Sequence, residues 1–461
     1  MEALTRRPRS PGGAGARGPR RKLSLALALP ALALAAGAGP AHGQIDGRER
    51  AIAEWVSEHA DEALAHLRRS VDINSGTMNA AGVRAVADEL IPAFVEIGFD
   101  ARWVPEPEAL NRSGHLVAER VADDPAGARL LLIGHLDTVF EEDSPFQTYE
   151  VVDDTTVRGP GVEDMKGGNI AILYALKALH AVGALEGTTI RVVMTGDEED
   201  PGRPLADARA ALIDAARASD LALGFESGSS IDGQEVAVVA RRGATKWMLR
   251  VGGRPNHSST IFKDDVGAGA IFEAARILDG FYSHLRGEQY LTFNPGVILG
   301  GTAVEYDARE VRGTVSGKTN IVAQDVVVHG GIRTISTDQL ERAQERMRAI
   351  VAQSLPHTSA TIEFDEGYPP MPPTDGNVAL LERLSEVSVD LGYGPIQPHD
   401  PGARGAADVS FVAPFIDGID GLGPHGSGGH TTDETMDVRT LPRAIARAAV
   451  LILRLTAGAA S

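Results

Sequence analysis

The stretch Leu130-Leu-Leu-Ile-Gly-His135-Leu-Asp137-Thr-Val-Phe140 decides how the rest of the sequence is interpreted. It begins with an uninterrupted apolar run, which is typical of a strand buried on both faces of a sheet. Because residues i and i+2 share one face of a strand, His135 and Asp137 are predicted to point the same way at the strand's C-terminal end. Open α/β sheets bind their ligands at that edge, and a neutral imidazole is a common metal ligand.

Strand-like and helical segments alternate on both sides of this stretch. This alternation predicts an α/β fold with a mixed, mostly parallel sheet flanked by helices. The predicted helices cover residues 50–70, 79–95, 169–182, 377–391 and 441–455, and the predicted strands cover 115–119, 129–134, 188–195 and 221–225.

The pattern changes near residue 238, where apolar and polar residues alternate as in a half-exposed antiparallel strand. Helical and strand-like runs then follow in the order β-α-β-β-α-β, which is that of a ferredoxin-like α+β unit. We therefore expect an inserted lid or dimerisation domain at 238–366, between two parts of a catalytic domain at 44–237 and 367–461. A proline-rich segment at 367–373 predicts a stiff connection.

The N-terminus has the pattern of an export signal that is removed, and we assign it to residues 1–43. Seven basic residues against one acid precede a Leu- and Ala-rich segment, and Ala41-His42-Gly43 offers a small-x-small cleavage site. The pair Arg20-Arg21 resembles a twin-arginine signal, with Sec export as the alternative. The sequence thus predicts a periplasmic or secreted protein that begins near Gln44.

Composition limits both partners and metal ligands. Removal of the leader leaves 37 basic and 62 acidic residues, a formal net charge of −25 instead of −19, which argues against nucleic acid or an anionic membrane as a partner. No later segment is long and apolar enough to anchor the chain in a membrane. Because the chain has no cysteine, any metal must be held by His, Asp and Glu.

Further polar side chains follow predicted strands or lie in glycine-rich loops. They are Asp164 in Gly159-Pro-Gly-Val-Glu-Asp164-Met-Lys-Gly-Gly168, the acids of Asp197-Glu198-Glu199-Asp200, Glu226 after a short strand, and the two histidines of the loop 421–434. Four consecutive acids repel one another, and a divalent cation would relieve that repulsion. Each site alone is also compatible with a solvated turn or a helix cap, but together they predict one metal centre.

These motifs, taken in order, resemble one family. The series His135-x-Asp137, Gly161-x-x-Asp164-Met-Lys-Gly, Asp197-Glu198-Glu199, Phe225-Glu226 and Gly-Gly-His430-Thr-x-x-Glu434 is similar to that of the carboxypeptidase G, aminoacylase and succinyl-diaminopimelate desuccinylase family of dizinc metallopeptidases. The resemblance covers about residues 50–455. It implies a zinc-peptidase-like catalytic domain interrupted by the inserted lid.

The resemblance implies two Zn²⁺ ions per chain, with Co²⁺ or Mn²⁺ as substitutes. His135 and Glu226 would hold one ion, Glu199 and His430 the other, and Asp164 would bridge them.

Two acids beside these ligands receive other roles. Asp137 would accept a hydrogen bond from His135 and so orient it. Glu198 would be the general base that takes a proton from the attacking water and returns it to the leaving amine. The labels of Glu198 and Glu199 are assigned by pattern and remain exchangeable at this point.

Three residues of the inserted domain complete the site that the resemblance implies. His257 would reach the site of a neighbouring subunit in a homodimer formed through the lid, and would stabilise the developing oxyanion there. Asn320 and Arg333 would bind the carboxylate of the substrate. The segment 306–316 departs from the family pattern, because it is longer and more charged than the usual link before this asparagine.

The implied function is an exopeptidase of the glutamate carboxypeptidase type, which cleaves the amide bond next to a free carboxylate in a small-molecule or peptide substrate. An aminoacylase that acts on N-acyl amino acids uses the same carboxylate anchor and is an alternative. A second alternative is a catalytically inactive binding protein on the same fold.

Overall fold

The computed structural model describes residues 45–457, so the predicted signal at 1–43 and its cleavage site lie outside the described residues. The helices of the described part are α1 (Gly47–Glu58), α2 (Ala60–Val71), α3 (Ala80–Glu96), α4 (Lys166–Ala181), α5 (Leu205–Ala208), α6 (Ala210–Arg217), α7 (Ala270–Leu285), α8 (Thr337–Val351), α9 (Asp375–Asp390), α10 (Val409–Val412) and α11 (Thr440–Thr456).

The strands are more numerous and shorter. They are β1 (Asp100–Pro105), β2 (Gly114–Arg120), β3 (Leu130–His135), β4 (Glu150–Val151), β5 (Thr156–Arg158), β6 (Ile190–Thr195), β7 (Leu221–Gly224), β8 (Ser229–Ile231), β9 (Gln234–Ala237), β10 (Gly243–Gly253), β11 (Thr292–Gly301), β12 (Ala303–Asp307), β13 (Arg312–Ser316), β14 (Asp325–Thr334), β15 (Thr358–Phe364), β16 (Gln397–Pro398), β17 (Asp417–Ile419), β18 (Gly426–Ser427) and β19 (Thr435–Asp437).

The central sheet has the strand order β1-β2-β6-β3-β7-β17. Strand β3 runs parallel to both β6 and β7, and β17 runs parallel to β7. Strand β2 pairs antiparallel with β6, and β1 pairs antiparallel with β2. The predicted α/β fold with a mixed, mostly parallel sheet is confirmed.

Alternate residues of β3 enter two hydrophobic cores on opposite faces of this sheet. Leu130 and Leu132 pack into the larger core, which includes α4 and α11, whereas Leu131 and Ile133 pack into the smaller core under α6 and α10. All four side chains are buried. Helices therefore cover both faces, as a continuous apolar strand requires.

A second sheet, with the order β11-β14-β10-β15, is antiparallel throughout. With α7 and α8 it follows the predicted order β-α-β-β-α-β. The helices pack on one face around buried Trp247, Leu249 and Val328. The opposite face carries the alternate residues of the strands, and we call it the open face. The boundaries at 237/238 and 366/367 remain predictions, because contacts join residues 45–457 into one compact unit.

The structure differs from the sequence-based prediction at three places. The helix predicted at 50–70 is broken at His59 into α1 and α2. The strand predicted from residue 238 begins only at Gly243. Val238 instead forms a β-bridge with Asp420, which directly follows β17 of the central sheet. The segment 303–316, which had no predicted secondary structure, forms the antiparallel hairpin β12–β13.

Within residues 45–457 no helix is both long enough and apolar enough to cross a lipid bilayer.

Candidate active site

Five predicted metal ligands, distant in sequence, meet at one edge of the central sheet. The Nε2 atom of His135 lies 3.1 Å from Oδ1 of Asp164 and 3.7 Å from Oε1 of Glu226. The Nε2 atom of His430 lies 3.1 Å from Oδ2 of Asp164 and 3.1 Å from Oε2 of Glu199. Asp164 therefore turns one carboxylate oxygen toward each histidine.

The ends of parallel strands explain this convergence. His135 is the last residue of β3, and Glu199 and Glu226 lie in the turns that follow its neighbours β6 and β7. Asp164 comes from the glycine-rich loop before α4, and His430 from the loop between β18 and β19. The carboxyl ends of neighbouring parallel strands share an edge, so their following residues are brought together without any local sequence signal.

The protonation of the cluster shows that it is suited to a cation. Burial raises the pKa of Glu199, and burial together with the nearby Asp164 raises the pKa of Glu226 to about 8. Burial also disfavours the Asp164 carboxylate, but hydrogen bonds from His135 and His430 outweigh it and lower the pKa of Asp164. Hydrogen bonds to Asp164 and Glu199 raise the pKa of His430 to about 11. Buried carboxylates crowded in this way favour positive charge, which holds the pKa of His135 and of His430 above the ordinary value and which a divalent cation would supply as well.

Asp137 lies against His135 with both its main chain and its side chain. The Nδ1 atom of His135 lies 3.0 Å from the backbone oxygen of Asp137, whereas the carboxylate oxygen Oδ1 lies 3.4 Å away. The carboxylate accepts hydrogen bonds from the backbone N–H groups of Glu198 (3.0 Å) and Glu199 (3.1 Å) and from the Thr77 hydroxyl (2.7 Å). Asp137 thus orients His135 mainly through its main chain, and its side chain holds the turn that carries two acids of the site.

Glu198 has the environment expected of a general base. No side chain within the described residues donates a hydrogen bond to its carboxylate or forms an ion pair with it. Its backbone is fixed, because its N–H donates to Asp137 and its carbonyl oxygen accepts from the Tyr368 hydroxyl at 2.6 Å. Burial raises the pKa of Glu198 well above its ordinary value, and the charge of Glu226 adds to that effect. A carboxyl group with a raised pKa is a stronger base when it is ionised.

Glu434 and Asp420 hold two other ligand loops in the same way. Glu434 accepts hydrogen bonds from the backbone N–H groups of Gly161 (3.2 Å), Glu163 (3.0 Å) and Asp164 (3.1 Å). Asp420 accepts from the backbone N–H of Glu226 at 3.2 Å. Sequence reasoning included Glu434 in a motif without a role and missed Asp420 entirely.

Buried arginines compensate the charge of Asp420 and of two further buried acids, Asp197 and Asp408. Arg241 pairs with Asp420 at 2.7 Å. Arg209, which is completely buried, pairs with Asp197 at 2.6 Å and with Asp408 at 2.7 Å. The only signal for these residues in the sequence is the presence of Arg209, and of the pair Arg241-Arg242, next to apolar residues, which does not identify their partners. Buried pairs of this kind are costly to break, because an uncompensated charge would remain.

A second group of titratable side chains lies behind Asp197. Glu106, His115 and Asp197 bring ligand-type atoms within 4.8 Å of one another. Burial lowers the pKa of His115 to about 4, and burial together with Asp197 raises the pKa of Glu106 to about 8. The Nδ1 atom of His115 accepts from the Gly196 N–H at 3.3 Å, so its Nε2 carries the proton and faces Glu106 at 3.3 Å. With Nδ1 occupied by the Gly196 N–H and Nε2 protonated, His115 has no free lone pair for a metal ion, although both carboxylate oxygens of Glu106 have no hydrogen-bond partner among residues 45–457.

A cavity of about 590 Å³ connects the ligand cluster to the open face of the second sheet. Its lining includes Glu199 and Asp200 from the turn after β6, and Lys246, His329 and Arg333 from the second sheet. Lys246 and Arg333 are exposed and form no ion pair or hydrogen bond through their side chains with residues 45–457. Their strands are neighbours, with Lys246 opposite Gly331 and Arg333 opposite Ala244. Two uncompensated cations therefore lie diagonally on one face, about 7–8 Å apart.

The other two predicted lid residues do not line this cavity. His257 is exposed, and its Nδ1 lies 2.7 Å from the Ser259 hydroxyl in its own turn. Asn320 is also exposed, and its backbone oxygen accepts from the Ser258 N–H at 2.9 Å. The structure thus brings His257 and Asn320 next to each other but not to Arg333 or to the metal ligands of the same chain. Their predicted roles remain predictions.

Comparison with known proteins identifies the family. The chain is 24% identical over 424 residues to carboxypeptidase G2 of Pseudomonas sp. (strain RS-16), covering 89% of this chain and 93% of that protein. It is 24% identical over 406 residues to succinyl-diaminopimelate desuccinylase of Dechloromonas aromatica (strain RCB), covering 83% and 96%. The crystal structure of aminopeptidase PepT from Bacillus cereus ATCC 10987 superposes with a TM-score of 0.66 at 18% identity, covering 86% and 98%.

The model of peptidase family M20/M25/M40 matches residues 131–454, a range that contains all five metal-ligand motifs. The resemblance inferred from those motifs is therefore confirmed, and the chain belongs to peptidase family M20/M25/M40.

Proposed function

We propose that the protein is a dizinc exopeptidase that hydrolyses the amide bond next to a free carboxylate, in the manner of a glutamate carboxypeptidase. The observation that carries this proposal is the single cavity that contains both Glu199 of the ligand cluster and the uncompensated Arg333. A substrate carboxylate on Arg333 would direct the adjacent amide toward the cluster. Membership of a peptidase family supports hydrolysis as the reaction class.

The donor set fits two divalent ions. His135 and Glu226 would hold one, Glu199 and His430 the other, and Asp164 would bridge them, since each of its oxygens already faces a different histidine. The Oε1 atom of Glu199 is buried without a hydrogen-bond partner, so it has a free lone pair for a ligand. Nitrogen and oxygen donors without sulfur suit Zn²⁺, with Co²⁺ or Mn²⁺ as substitutes. When bound, the ions would lower the pKa of a water and polarise the scissile carbonyl.

The chain's own residues supply the remaining steps. Glu198 removes a proton from the attacking water, whose oxygen bonds to the carbonyl carbon of the amide. Glu198 then delivers this proton to the nitrogen of the leaving amine, which departs as the C–N bond breaks. Its carboxylate is free to do so, because its backbone is fixed by Asp137 and Tyr368. Arg333 holds the carboxylate of the leaving amino acid through bidentate hydrogen bonds. Lys246 lies near enough to receive a second carboxylate, which favours an acidic leaving residue such as glutamate.

We also propose a homodimer formed through the lid. Exposed apolar side chains on and near α7 support it, namely Phe262 (66% exposed), Ile271, Phe272 and Tyr282. Such a group on a surface marks a contact site. His257 and Asn320 are exposed and do not line the cavity of their own chain, and in a dimer they would act in the site of the partner. Sedimentation of the purified protein measures its mass, and a monomer at micromolar concentration would remove this part of the proposal.

Export rests on the N-terminal segment, and we propose a periplasmic or secreted location. Mass spectrometry of protein recovered from the periplasm or medium should give an N-terminus near Gln44. Recovery of a chain that still begins at Met1 would contradict it.

The alternative is an amidohydrolase that acts on N-acyl amino acids, which the similarity to a desuccinylase favours. A panel of folyl-, peptidyl- and N-acetyl-amino acids, assayed with the zinc-loaded enzyme, separates the two. Preference for C-terminal glutamate supports the carboxypeptidase, whereas activity confined to N-acetyl substrates overturns it. A metal content below one ion per two chains, without hydrolysis of any compound, would favour the inactive binding protein.

A further inference from the structure

The hairpin β12–β13 covers half of the open face of the second sheet. On two of the four strands, the strand register places these residues on the open face: Thr292, Asn294, Val297 and Leu299 of β11, and Val327, His329, Gly331 and Arg333 of β14. Strand β12 lies against β14, and a Cβ atom at Gly313 of β13 would be 2.8 Å from Cδ1 of Leu299. The hairpin therefore packs closely on the half of the face that is farther from the central sheet.

A side-chain hydrogen bond fastens the hairpin at the middle of this face. The Tyr306 hydroxyl of β12 lies 2.7 Å from Nδ1 of His329, and their rings meet edge to face with centroids 5.8 Å apart. His329 lines the cavity, four residues before Arg333 on the same face of β14. At about 3.3 Å per residue, the fastening point lies about 13 Å beyond the proposed carboxylate anchor.

The tip of the hairpin reaches the cavity itself. Val311 lines the cavity together with His329, Val297 and Arg333, and its side chain is 46% exposed. Its φ of 50° lies in the left-handed region. A β-branched residue is strongly disfavoured there, and strained residues of this kind cluster at ligand clamps. Glycine or asparagine would serve the turn better, so folding alone does not account for valine at this position.

We propose that the tip of the hairpin 303–316 forms the distal wall of the substrate cavity, and that Val311 sets the size of the leaving residue's side chain. This inference rests on the proposed function. The residues that line the cavity include Glu199, Arg333 and Val311. A leaving amino acid whose carboxylate is held by Arg333 can extend an acidic side chain toward Lys246, and a bulky apolar side chain toward Val297, His329 and Val311.

The test compares substrates that differ only in the leaving residue. The ratio of kcat/KM for N-benzoyl-phenylalanine to that for N-benzoyl-glycine is measured with the zinc-loaded wild-type protein and with two variants. Val311→Gly removes the wall and the unfavourable φ together, so it should fold and raise the ratio about tenfold or more. Val311→Trp extends the wall and should lower the ratio by a similar factor.

Two further variants separate the wall from general effects on the hairpin. Tyr306→Phe keeps the ring but loses the bond to His329, so it should change the ratio in the same direction as Val311→Gly, by a smaller factor. The control is Val315→Trp, because Val315 is an exposed valine of the same hairpin that does not line the cavity. It should leave the ratio at the wild-type value. If both Val311 variants change the two substrates in parallel, the hairpin is not part of the cavity wall.

Binding distinguishes failure of this inference from failure of the proposed function. Calorimetry with the same two compounds uses zinc-loaded protein that carries Glu198→Gln, alone and combined with each Val311 substitution. If the wild-type protein hydrolyses neither these compounds nor N-benzoyl-glutamate, but the binding ratio of the two compounds follows residue 311, the exopeptidase proposal is wrong and the wall stands. If the binding ratio does not depend on residue 311, or neither compound binds, the wall is refuted.

Discussion

The substitution Glu434→Gln tests whether a carboxylate that touches no proposed metal ion controls the affinity for metal. Glu434 is buried, with 1% of its surface exposed. Its Oε1 accepts from the N–H groups of Glu163 and Asp164, and its Oε2 accepts from that of Gly161. These three donors belong to the loop that presents Asp164, the residue proposed to bridge the two ions.

The magnitude follows from the geometry of the amide. The glutamine oxygen can keep the two bonds at the Oε1 position, but the NH₂ group then faces the Gly161 N–H, donor against donor. One hydrogen bond to a charged acceptor is lost, and a buried donor is left unsatisfied, which costs about 1–3 kcal/mol. If that cost falls on the metal-bound loop, zinc binds about 5- to 150-fold more weakly. Such a loss is in the range found when a residue that supports a metal ligand is replaced, about 10- to 100-fold.

The assay is activity against free zinc concentration, set with a chelator buffer. The midpoint, which is the zinc concentration that gives half of the maximal activity, should rise about 5- to 150-fold in Glu434→Gln. The kcat at saturating zinc should stay within about twofold of the wild-type value, because Glu434 does not touch the reacting atoms. Asp433→Asn is the matched control, since Asp433 is the adjacent exposed acid and its loss changes the net charge equally. An unchanged midpoint in Glu434→Gln, or a fall in kcat that excess zinc does not restore, would refute the reasoning.

Three further outcomes are expected. Glu198→Gln should lower kcat by about 10²- to 10⁴-fold while the zinc content stays at two per chain, and loss of zinc would mean that the labels of Glu198 and its neighbour are exchanged. Lys246→Ala should raise the KM of substrates that end in glutamate and leave the KM of substrates that end in leucine almost unchanged. Arg333→Ala should raise the KM of both kinds of substrate. If the two substitutions have the same effect, Lys246 does not contribute to specificity. Burial lowers the pKa of His115 to about 4, so between pH 6.5 and 4 the unfolded chain binds a proton that the folded chain does not. The free energy of unfolding therefore decreases as the pH falls through that window, by up to about 3 kcal/mol. Between pH 7 and 5 the melting temperature of His115→Gln should fall less than that of the wild-type protein.

The sequence alone was sufficient for the α/β architecture and for the positions of the proposed ligands. An apolar run such as Leu130–Ile133 identifies a strand buried on both faces, because burial on both sides removes polar residues from the period-two pattern. A polar residue directly after such a run, such as His135 or Glu226, must then lie at the sheet edge. Both inferences depend only on local period and chain order, which the sequence contains.

The sequence did not reveal the supports of those ligands, because each is a contact between segments far apart in the chain. The carboxylate of Glu434 meets the N–H of Gly161, 273 residues away, and Asp420 meets that of Glu226, 194 residues away. Asp137 illustrates the same limit at closer range. Its position just after the strand was predictable. The hydrogen bonds that its carboxylate accepts from the turn after β6 depend on how two neighbouring strands end.

What the sequence by itself determined is therefore the order of the elements and which residue types end them. The tertiary structure alone decided which side chains share a cavity. Hydrophobic patterning specifies burial without naming a partner, whereas hydrogen bonds and ion pairs require particular atoms within about 3 Å. The meeting of Glu199, Arg333 and the tip of the hairpin at Val311 is a product of packing two sheets side by side, and no local pattern in the chain encodes it.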